Sequence, residues 1–274
     1  MIRSFIILLF VLSAGFKANA QSYFANGHAR SIGNQCYELT EASYNQLGSV
    51  WYADKIDLSQ DFDLEFHLNF GNMDRGADGI VFVMQTVGNR AIGERGGGLG
   101  FDGFSPSFGI EFDTYYNSVF GDIVADHIAI FRDGNVNHNS SNELKEAVPA
   151  LPGSPNIEDG KNHLVRIQWD AGNKTIKVWF DCELRQELTL DIRKEIFSGT
   201  KNVFWGFTAA TGAAINRQIA CLRDDILTPD TVPICKGDTK LLNARKSKNN
   251  KYHWSPSTYL DDVTIKRPAC SATE

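Results

Sequence analysis

Acidic, amide and imidazole side chains are concentrated between residues 111 and 127, in an order that suits metal ions. Glu111 and Asp113 alternate with apolar residues, as expected for one face of a β-strand. The other candidates follow on a loop and at the start of the next apolar run. Carboxylate, amide and carbonyl oxygens suit a hard cation such as Ca²⁺, whereas carboxylates with one imidazole suit a transition ion such as Mn²⁺. The candidate metal ligands are Glu111, Asp113, the backbone carbonyl of Tyr115, Asn117, Asp122 and His127.

Two ions that share Asp113 and Asp122 would use this whole set of ligands. A lone histidine is more often structural, but the place of His127 after four oxygen ligands favours coordination. Asp126 adjoins His127, yet strand alternation directs its side chain away from the ions. The segment therefore predicts two neighbouring metal ions, with Asp126 outside their site.

Short apolar or alternating runs recur along the chain, separated by Gly, Asn and Asp. Runs of this length predict β-strands. Residues 170–174 predict a hairpin turn, and residues 190–197 predict no more than one short helical turn. Because many short strands follow one another without helices between them, we expect an all-β sandwich of two sheets. The predicted strands include residues 62–70, 80–84, 108–112, 127–131, 163–169 and 175–180.

Four segments of the chain resemble segments of the legume-type (L-type) lectins and occur in the same order. The resemblance is to the L-type lectins that bacteria secrete. The four segments are 77–83 (Ala-Asp-Gly and an apolar run), 96–101 (Gly-Gly-Gly-Leu-Gly-Phe), the acidic segment 111–127, and 205–212 (Trp-Gly-Phe-Thr-Ala-Ala-Thr-Gly). The resemblance extends over roughly residues 22–224 and implies a concanavalin-like jelly-roll β-sandwich. It also implies a transition ion held by Glu111, Asp113, Asp122 and His127, and calcium held by Asp113, the Tyr115 carbonyl, Asn117 and Asp122.

The resemblance further implies a carbohydrate site that the metal ions hold in shape. Asp78 would accept hydrogen bonds from two sugar hydroxyls, and the peptide bond between Ala77 and Asp78 would be cis. Asn117 would donate its NH₂ group to the sugar while its side-chain oxygen binds calcium. Gly97 would donate a backbone N–H and let the sugar ring approach closely. A specificity loop would contribute the backbone N–H groups of Gly212, Ala213 and Ala214.

Two assignments at this site stay open. Gly98 is an alternative to Gly97, because the chain has one residue fewer here than many family members. The apolar face of a sugar usually meets an aromatic ring, and Tyr116 has the better claim, since Tyr115 is assigned to calcium through its backbone. Ordinary strand packing is the alternative for either tyrosine.

The first twenty residues have the composition of a signal peptide. Arg3 precedes an apolar segment at residues 5–16, and Ala-Asn-Ala at 18–20 offers a cleavage site before Gln21. About twelve apolar residues are too few to span a bilayer, and no later segment is long and apolar enough. We therefore expect a soluble mature chain that is secreted or held at the cell surface.

The mature chain is acidic. Removal of residues 1–20 leaves 25 basic and 33 acidic residues, a net charge of −8. This charge argues against nucleic acid or an anionic membrane as the main partner and fits a neutral ligand such as a glycan. Because binding to a single sugar is expected to be weak, a homo-oligomer or a larger multidomain surface protein would give useful adhesion.

Five cysteines in an exported chain suggest disulfide bonds. If the terminal strands are neighbours, as the family's fold implies, Cys36 and Cys221 form the best-placed pair. Cys182 lies in a predicted hairpin and is a candidate free thiol. Cys235 and Cys270 are a candidate pair in the C-terminal tail.

The composition changes near residue 224, which predicts that the lectin-like domain occupies residues 21–224. Residues 225–233 contain two prolines and predict a linker. Residues 234–274 resemble the opening strands of the immunoglobulin-like (Ig-like) or PKD-like repeats of bacterial surface proteins. About forty residues are too few for a complete sandwich of that type, so an incomplete domain is predicted.

Two other functions are compatible with the same fold. Retaining glycoside hydrolases of the concanavalin-like fold carry Glu-x-Asp-x-x-Glu on one strand, but residue 116 is Tyr here, so the acid/base carboxylate is missing. No catalytic residue is therefore predicted, and the chain is not expected to be an enzyme. A structural surface module without sugar binding is the other alternative, and the presence of Asp78, Gly97 and Asn117 argues against it.

Overall fold

The computed structural model describes residues 23–222 and the short segments 239–241, 260–261, 264 and 269–271. The predicted signal peptide, the linker and most of the predicted tail lie outside these residues. Nearly all the regular structure is β-strand. The elements are β1 (Tyr23–Gly27), β2 (Arg30–Gly33), β3 (Cys36–Thr40), β4 (Leu47–Tyr52), β5 (Ile56–Asp57), β6 (Phe62–Asn69), β7 (Gly79–Gln85), a 3₁₀ turn (Gly96–Gly98), β8 (Ser107–Asp113), β9 (His127–Arg132), β10 (Glu143–Pro149), β11 (His163–Asp170), β12 (Thr175–Phe180), β13 (Glu183–Thr189), α1 (Ile192–Glu195), β14 (Asn202–Ala210), β15 (Gln218–Leu222), β16 (Thr239–Leu241) and β17 (Ala269–Ser271).

Two large antiparallel sheets form a sandwich. The first has eight strands in the order β1-β4-β14-β7-β8-β9-β10, with β5 paired to β14. The second has seven strands in the order β13-β12-β11-β6-β15-β3-β2. Strands β7, β8 and β9, which carry the acidic segment, lie side by side in the first sheet. The predicted all-β sandwich is therefore confirmed.

The centre of the first sheet is buried on both faces. In β7, Ile80 belongs to the main core between the sheets, whereas Val81 belongs to a second apolar cluster on the outer face. This double burial explains why β7 is a continuous apolar run rather than an alternating one. Leu99 also belongs to the outer cluster and is fully buried. It therefore anchors the preceding turn Gly96–Gly98 on the sheet, close to the ends of β7 and β8.

The turns and the short helix follow the sequence signals. β11 and β12 are joined by a hairpin turn that ends in Lys174 at φ 57°, as predicted. Asp181 and Cys182 join β12 to β13 with φ angles of 46° and 73°, and a two-residue hairpin turn of type I′ has positive φ at both positions. The one predicted helical turn is Ile192–Glu195, whose N-cap Asp191 accepts a hydrogen bond from the backbone N–H of the third helical residue.

Cys36 and Cys221 form the predicted disulfide. The two residues lie directly opposite each other in the β3–β15 pair, although 185 positions separate them in the sequence. Cys182 is also disulfide-bonded, so the expectation of a free thiol there is wrong. Its exposed position at a hairpin tip leaves the sulfur accessible to a second cysteine. The predicted pairing of Cys235 with Cys270 involves side chains outside the described part of the chain.

The tail is described only in part. Strands β16 and β17 pair antiparallel, with Lys240 opposite Cys270. The Ig-like or PKD-like assignment of residues 234–274, and the boundaries at 21–224 and 225–233, stay predictions. Among the residues described, no helix combines the length and the apolar character needed to cross a bilayer.

A candidate metal and ligand site

Strand β8 places two carboxylates on one buried face. Glu111 and Asp113 are 1% and 2% exposed, and Phe112 between them points into the main core. His127, which begins β9, lies directly opposite Asp113 in the β8–β9 pair and is 1% exposed. The two-residue period of the strand thus brings three of the predicted ligands to one side of the sheet.

The loop after β8 is held by hydrogen bonds to two of the predicted ligands. Asp113 Oδ1 accepts a hydrogen bond from the backbone N–H of Tyr115 at 2.6 Å. Asp122 Oδ2 accepts one from the backbone N–H of Asn117 at 2.5 Å. The Asn117 side-chain NH₂ donates to the Tyr115 carbonyl at 3.2 Å. The four residues implied for calcium are therefore neighbours in one compact loop.

The predicted ligands of the transition ion also lie together. Ligand atoms of Asp113, Asp122 and His127 are all within 4.8 Å of one another, and so are those of a second group formed by Glu111, His127 and His138. His138 is a ligand candidate that the sequence analysis missed. It follows His127 by eleven residues, in a loop rich in asparagine and serine, and neither this spacing nor the loop composition indicates a metal ligand.

The electrostatics of this cluster suit a cation. Burial raises the pKa of Glu111 and of Asp113 well above their ordinary values, and neighbouring carboxylates, Asp122 among them, raise both further. Glu111 Oε2 is buried and accepts no hydrogen bond from any residue that the structure describes. Burial, aided by the adjacent His138, lowers the pKa of His127 to about 4, so its imidazole is neutral and free to coordinate. The donor set of carboxylates and imidazoles fits a transition ion.

Asp126 points away from this cluster, as predicted. Its Oδ2 accepts a hydrogen bond from the backbone N–H of Ile157 at 2.7 Å, and it shares its surroundings with Glu158 and Asp74. Burial, together with the charge of Asp126, raises the pKa of Glu158 to about 8. Glu158 Oε1 accepts a hydrogen bond from the Asn216 side chain at 2.6 Å. This second acidic group lies outside the predicted site.

Asp78 lies beside the end of β8. The Ala77–Asp78 peptide bond is cis, which confirms that prediction. The backbone N–H of Asp78 donates to the Ala210 carbonyl, and its carbonyl accepts from the Thr114 N–H, both at 3.0 Å. The residue is 4% exposed, and its Oδ2 has no hydrogen-bond partner among the described residues. Burial raises the pKa of the Asp78 carboxyl to about 7.

The glycine turn and the loop after β14 approach Asp78 and Asn117. A methyl group on Gly212 would lie 3.6 Å from Asp78 Oδ2 and 3.2 Å from the Cα of Gly96. A methyl group on Gly97 would lie 3.1 Å from the Asn117 side-chain nitrogen and 2.7 Å from a ring carbon of Phe120. The structure therefore brings the predicted residues Asp78, Gly97, Asn117 and Gly212 to one surface region.

The structure distinguishes Gly97 from Gly98 but does not distinguish Tyr115 from Tyr116. A methyl group on Gly98 would contact Glu94 at 2.9 Å rather than Asn117, so Gly97 is the glycine that faces the candidate site. Tyr115 and Tyr116 are 38% and 51% exposed, and both rings are accessible to a ligand. The sequence analysis missed Phe120, whose ring borders Gly97.

The specificity loop turns tightly after β14. The backbone N–H of Gly212 donates to the Ala214 carbonyl at 3.3 Å, and the Gly212 carbonyl accepts from the N–H of Asn45 at 3.4 Å. Ala213 is exposed at the tip of this turn, and Ala214 is partly buried. Of the three predicted loop residues, Gly212 is the one that the structure places against Asp78.

Comparison with known proteins relates this chain to one domain family. The family described as the legume lectin (L-type) β-barrel domain matches residues 12–224. An Arabidopsis thaliana protein described as an L-type lectin-domain containing receptor kinase, I.10, is 27% identical over 227 residues, which are 72% of this chain and 35% of the relative. The chain thus spans about a third of the length of this relative.

Several solved structures share the fold. Lectin II from Ulex europaeus superposes with a TM-score of 0.60 and 19% identity, covering 74% of this chain and 91% of that one. Peanut lectin with a nine-residue peptide gives a TM-score of 0.57 and 25% identity, covering 76% and 90%. Basic winged bean lectin with Tn-antigen gives 0.57 and 22%, covering 74% and 90%.

Proposed function

The chain belongs to the legume lectin (L-type) domain family, and we propose that it is a secreted or cell-surface lectin that binds glycans at a metal-shaped site. One observation carries the proposal. A buried carboxylate oxygen of Asp78, unpaired among the described residues, lies beside the Gly96–Gly98 turn and the Asn117 loop, next to the metal-ligand cluster. Relatives of this fold are described in complex with galactose, with GalNAc and with Tn-antigen, which supports a carbohydrate ligand.

The polar residues offer both kinds of hydrogen-bonding group that a sugar needs. Each sugar hydroxyl donates and accepts, so the site requires fixed acceptors and fixed donors. Asp78 supplies a desolvated carboxylate as acceptor, and Asn117 supplies a side-chain NH₂ as donor. Gly97 contributes a backbone N–H, and its lack of a side chain leaves room for the sugar ring. The backbone N–H groups of Ala213 and Ala214 would add further donors, whereas that of Gly212 already donates to the Ala214 carbonyl.

An exposed aromatic ring would receive the apolar face of the sugar. Tyr116 is the proposed platform and Tyr115 the alternative, and both rings are accessible. Phe120 is partly buried and packs against the outer apolar cluster. Its ring lies on the side of Gly97 where a side chain would project and would help to hold the turn in place.

Ca²⁺ and Mn²⁺, or another transition metal, would supply the positive charge that keeps the buried carboxylates ionised. The transition ion would be held by Glu111, Asp113, Asp122 and His127, and calcium by Asp113, the Tyr115 carbonyl, Asn117 and Asp122. Without bound cations, the mutual repulsion of these acids would favour an open loop. The loop carries Asn117, so its position at the sugar site depends on this cluster.

Hydrolysis is not the function of this site. The matched domain family is that of the legume lectins, and the solved structures that share the fold are described as lectins. Glu111 and Asp113 are both fully buried and face other metal-ligand candidates, whereas a glycosidase needs two carboxyl groups on either side of an accessible bond. Residue 116 is a tyrosine at the position of the missing acid/base carboxylate.

The location and partners follow from the same proposal. Cys36–Cys221 and the bonded Cys182 fit an oxidising compartment outside the cytoplasm, in line with the predicted signal peptide at residues 1–20. Glycans or glycoconjugates are the proposed partners, rather than nucleic acid or the membrane interior. A homo-oligomer or a multidomain surface protein would raise the avidity of sites that each bind weakly.

The test is a glycan array probed with the mature chain from residue 21, with and without EDTA. We expect glycan binding that EDTA abolishes and that added Ca²⁺ and Mn²⁺ restore. Asp113→Asn should lose both ions and glycan binding together, whereas the matched control Asp126→Asn should keep both. Metal binding without any glycan binding would instead indicate a structural surface module. Undiminished sugar affinity in Asp113→Asn would refute the role of the ions, and release of free sugar would indicate a hydrolase.

A further inference from the structure

Two buried imidazoles face each other in the metal-ligand cluster. His127 Nε2 and His138 Nε2 are 3.2 Å apart, and the side chain of His138 is 7% exposed. His138 Nε2 also lies 3.6 Å from Glu111 Oε2 and 3.7 Å from Asp122 Oδ1. Four potential ligand atoms from four separate parts of the chain therefore converge on a single small volume.

The hydrogen-bond partners of the two Nδ1 atoms determine which nitrogen of each imidazole carries the proton. His127 Nδ1 lies 3.1 Å from the Ala125 carbonyl oxygen, and His138 Nδ1 lies 2.7 Å from Glu143 Oε1. A carbonyl and a carboxylate oxygen only accept hydrogen bonds, so each Nδ1 carries the proton. With the proton on Nδ1, each Nε2 is the atom available for coordination, and the two Nε2 atoms face each other and two carboxylate oxygens. An arrangement of lone pairs alone is repulsive, and a cation at the centre makes it favourable.

The distances are those of neighbouring ligands around one ion. Two atoms that each lie about 2.1 Å from a metal, at angles between octahedral and tetrahedral, are roughly 3.0–3.4 Å apart. The separation of His127 and His138 falls in this range. The two carboxylate contacts exceed it by a few tenths of an ångström, which small side-chain rotations would close.

The Glu143 carboxylate contacts the ring nitrogen of His138 that faces away from the cluster, and so can orient the imidazole. Metal-bound histidines commonly donate their second ring N–H to a carboxylate, which fixes the tautomer and makes the ligating nitrogen more basic. Glu143 begins β10, and its contact with His138 Nδ1 matches this arrangement. On the other side, the Phe131 ring packs against His138 with centroids 5.0 Å apart. The imidazole is thus held in one orientation before any ion binds.

We propose that His138 is a direct ligand of the transition ion, oriented by Glu143, so that this ion has two imidazole ligands rather than one. The inference rests on the proposed metal site and specifies its chemistry. Imidazole ligands suit zinc, copper and nickel, whereas sites rich in carboxylate and water suit manganese. The site should therefore prefer Zn²⁺, Co²⁺ or Ni²⁺ over Mn²⁺ in the transition-metal position, while the calcium position is unchanged.

The first measurement counts imidazoles at the ion. The mature chain is stripped with EDTA, loaded with one equivalent of Cu²⁺ in the presence of Ca²⁺, and studied by electron spin-echo modulation, which detects the remote nitrogens of bound imidazoles. Two imidazoles are expected in the wild-type protein and one in His138→Ala. The control His28→Ala removes an exposed histidine of the β1–β2 turn and should leave two. A single imidazole in the wild-type protein overturns the proposal, whatever the folding of the variants.

The second measurement is the ratio of Zn²⁺ to Mn²⁺ affinity, obtained by competition with a chelator. His138→Ala should lower this ratio at least tenfold, and Glu143→Gln should lower Zn²⁺ affinity about 10- to 100-fold, as other partners of ligating histidines do. An unchanged ratio in His138→Ala would mean that His138 is a protonated partner of Glu111 and Asp122, and would overturn the proposal. So would failure of the wild-type protein to bind any transition ion. Absence of glycan binding with two imidazoles present would refute the proposed lectin function alone.

Discussion

Replacing Asp78 with asparagine should weaken ligand binding and stabilise the free protein at the same time. Asp78→Asn keeps the size of the side chain and one acceptor oxygen but removes the negative charge. The native carboxylate is 4% exposed, and its Oδ2 has no partner within the described chain. Such a group costs free energy in the folded state until a ligand donates hydrogen bonds to it. The two effects of the substitution should therefore have opposite signs.

The binding loss follows from the charge. Hydrogen bonds to a charged group contribute about 1.5–3 kcal/mol, and each 1.4 kcal/mol changes affinity about tenfold. Asp78→Asn should thus reduce glycan affinity about 10- to 150-fold. The metal content should not change, because the ligand atoms of the metal cluster come from other residues.

The stability gain follows from the pKa of the Asp78 carboxyl, which burial raises from 3.8 to about 7. The folded protein therefore binds this proton more tightly than the unfolded chain does, so stability is lost as the pH rises from about 4 to about 7. At about 1.4 kcal/mol for each tenfold difference in proton affinity, the full loss is about 4 kcal/mol above pH 7. Asparagine does not ionise, so the advantage of the variant should grow by about 2–3 kcal/mol between pH 5 and pH 8.

The assay is urea unfolding of the metal-free wild-type and variant proteins at pH 5 and pH 8, with titration of a glycan that binds the wild-type protein at pH 7.5 in Ca²⁺ and Mn²⁺. Asp63→Asn is the matched control, because Asp63 is exposed and pairs with Arg166 on the second sheet. Asp63→Asn should leave both the glycan affinity and the pH dependence of the unfolding free energy as they are in the wild-type protein. Equal glycan affinity in Asp78→Asn and wild type, or a variant less stable than wild type at pH 8, would refute the reasoning.

Two further predictions concern the neighbourhood of the site. Gly97→Ala should reduce glycan binding at least tenfold with metal binding intact, because the new methyl group would lie 2.7 Å from Phe120 and 3.1 Å from the Asn117 amide. Gly172→Ala, in the distant β11–β12 turn, is the control, and isothermal titration would contradict the prediction if both variants bound equally well. Burial is the main cause that raises the pKa of the Glu158 carboxyl from 4.5 to about 8. The stability that the protonated carboxyl contributes is therefore fully present below pH 4.5 and is lost as the pH rises through about 8. Between pH 5 and pH 8.5, the free energy of unfolding should therefore fall about 2–4 kcal/mol less in Glu158→Gln than in wild type. Identical pH profiles of the two proteins would show that this carboxyl ionises freely.

The strand that carries the metal ligands could be predicted because its signal is local. Glu111 and Asp113 share a face through the two-residue period, and His127 begins the adjacent apolar run that pairs with the same strand. The register that sets His127 opposite Asp113 was not predicted, because it depends on how the intervening loop folds. The sandwich, the hairpin turns and the Cys36–Cys221 disulfide were predictable from equally direct patterns or from the resemblance.

The features that were missed depend on contacts between distant segments. His138 enters the cluster from the loop between β9 and β10, and nothing in its immediate sequence indicates which way that loop folds. The choice between Gly97 and Gly98 depends on how Leu99 anchors the turn in the outer apolar cluster. The disulfide of Cys182 depends on a second cysteine whose approach the hairpin sequence does not encode.

The covalent link between Cys36 and Cys221 has a mechanical consequence. It joins two strands at opposite ends of the domain sequence, so both the candidate metal cluster and the proposed glycan site lie inside a closed loop of the chain. If the protein is pulled from its two ends, tension passes directly across this bond. Only the segment before Cys36 and the residues after Cys221 can then be extended, and the recognition surface should keep its shape under forces that would unravel an uncrosslinked sandwich.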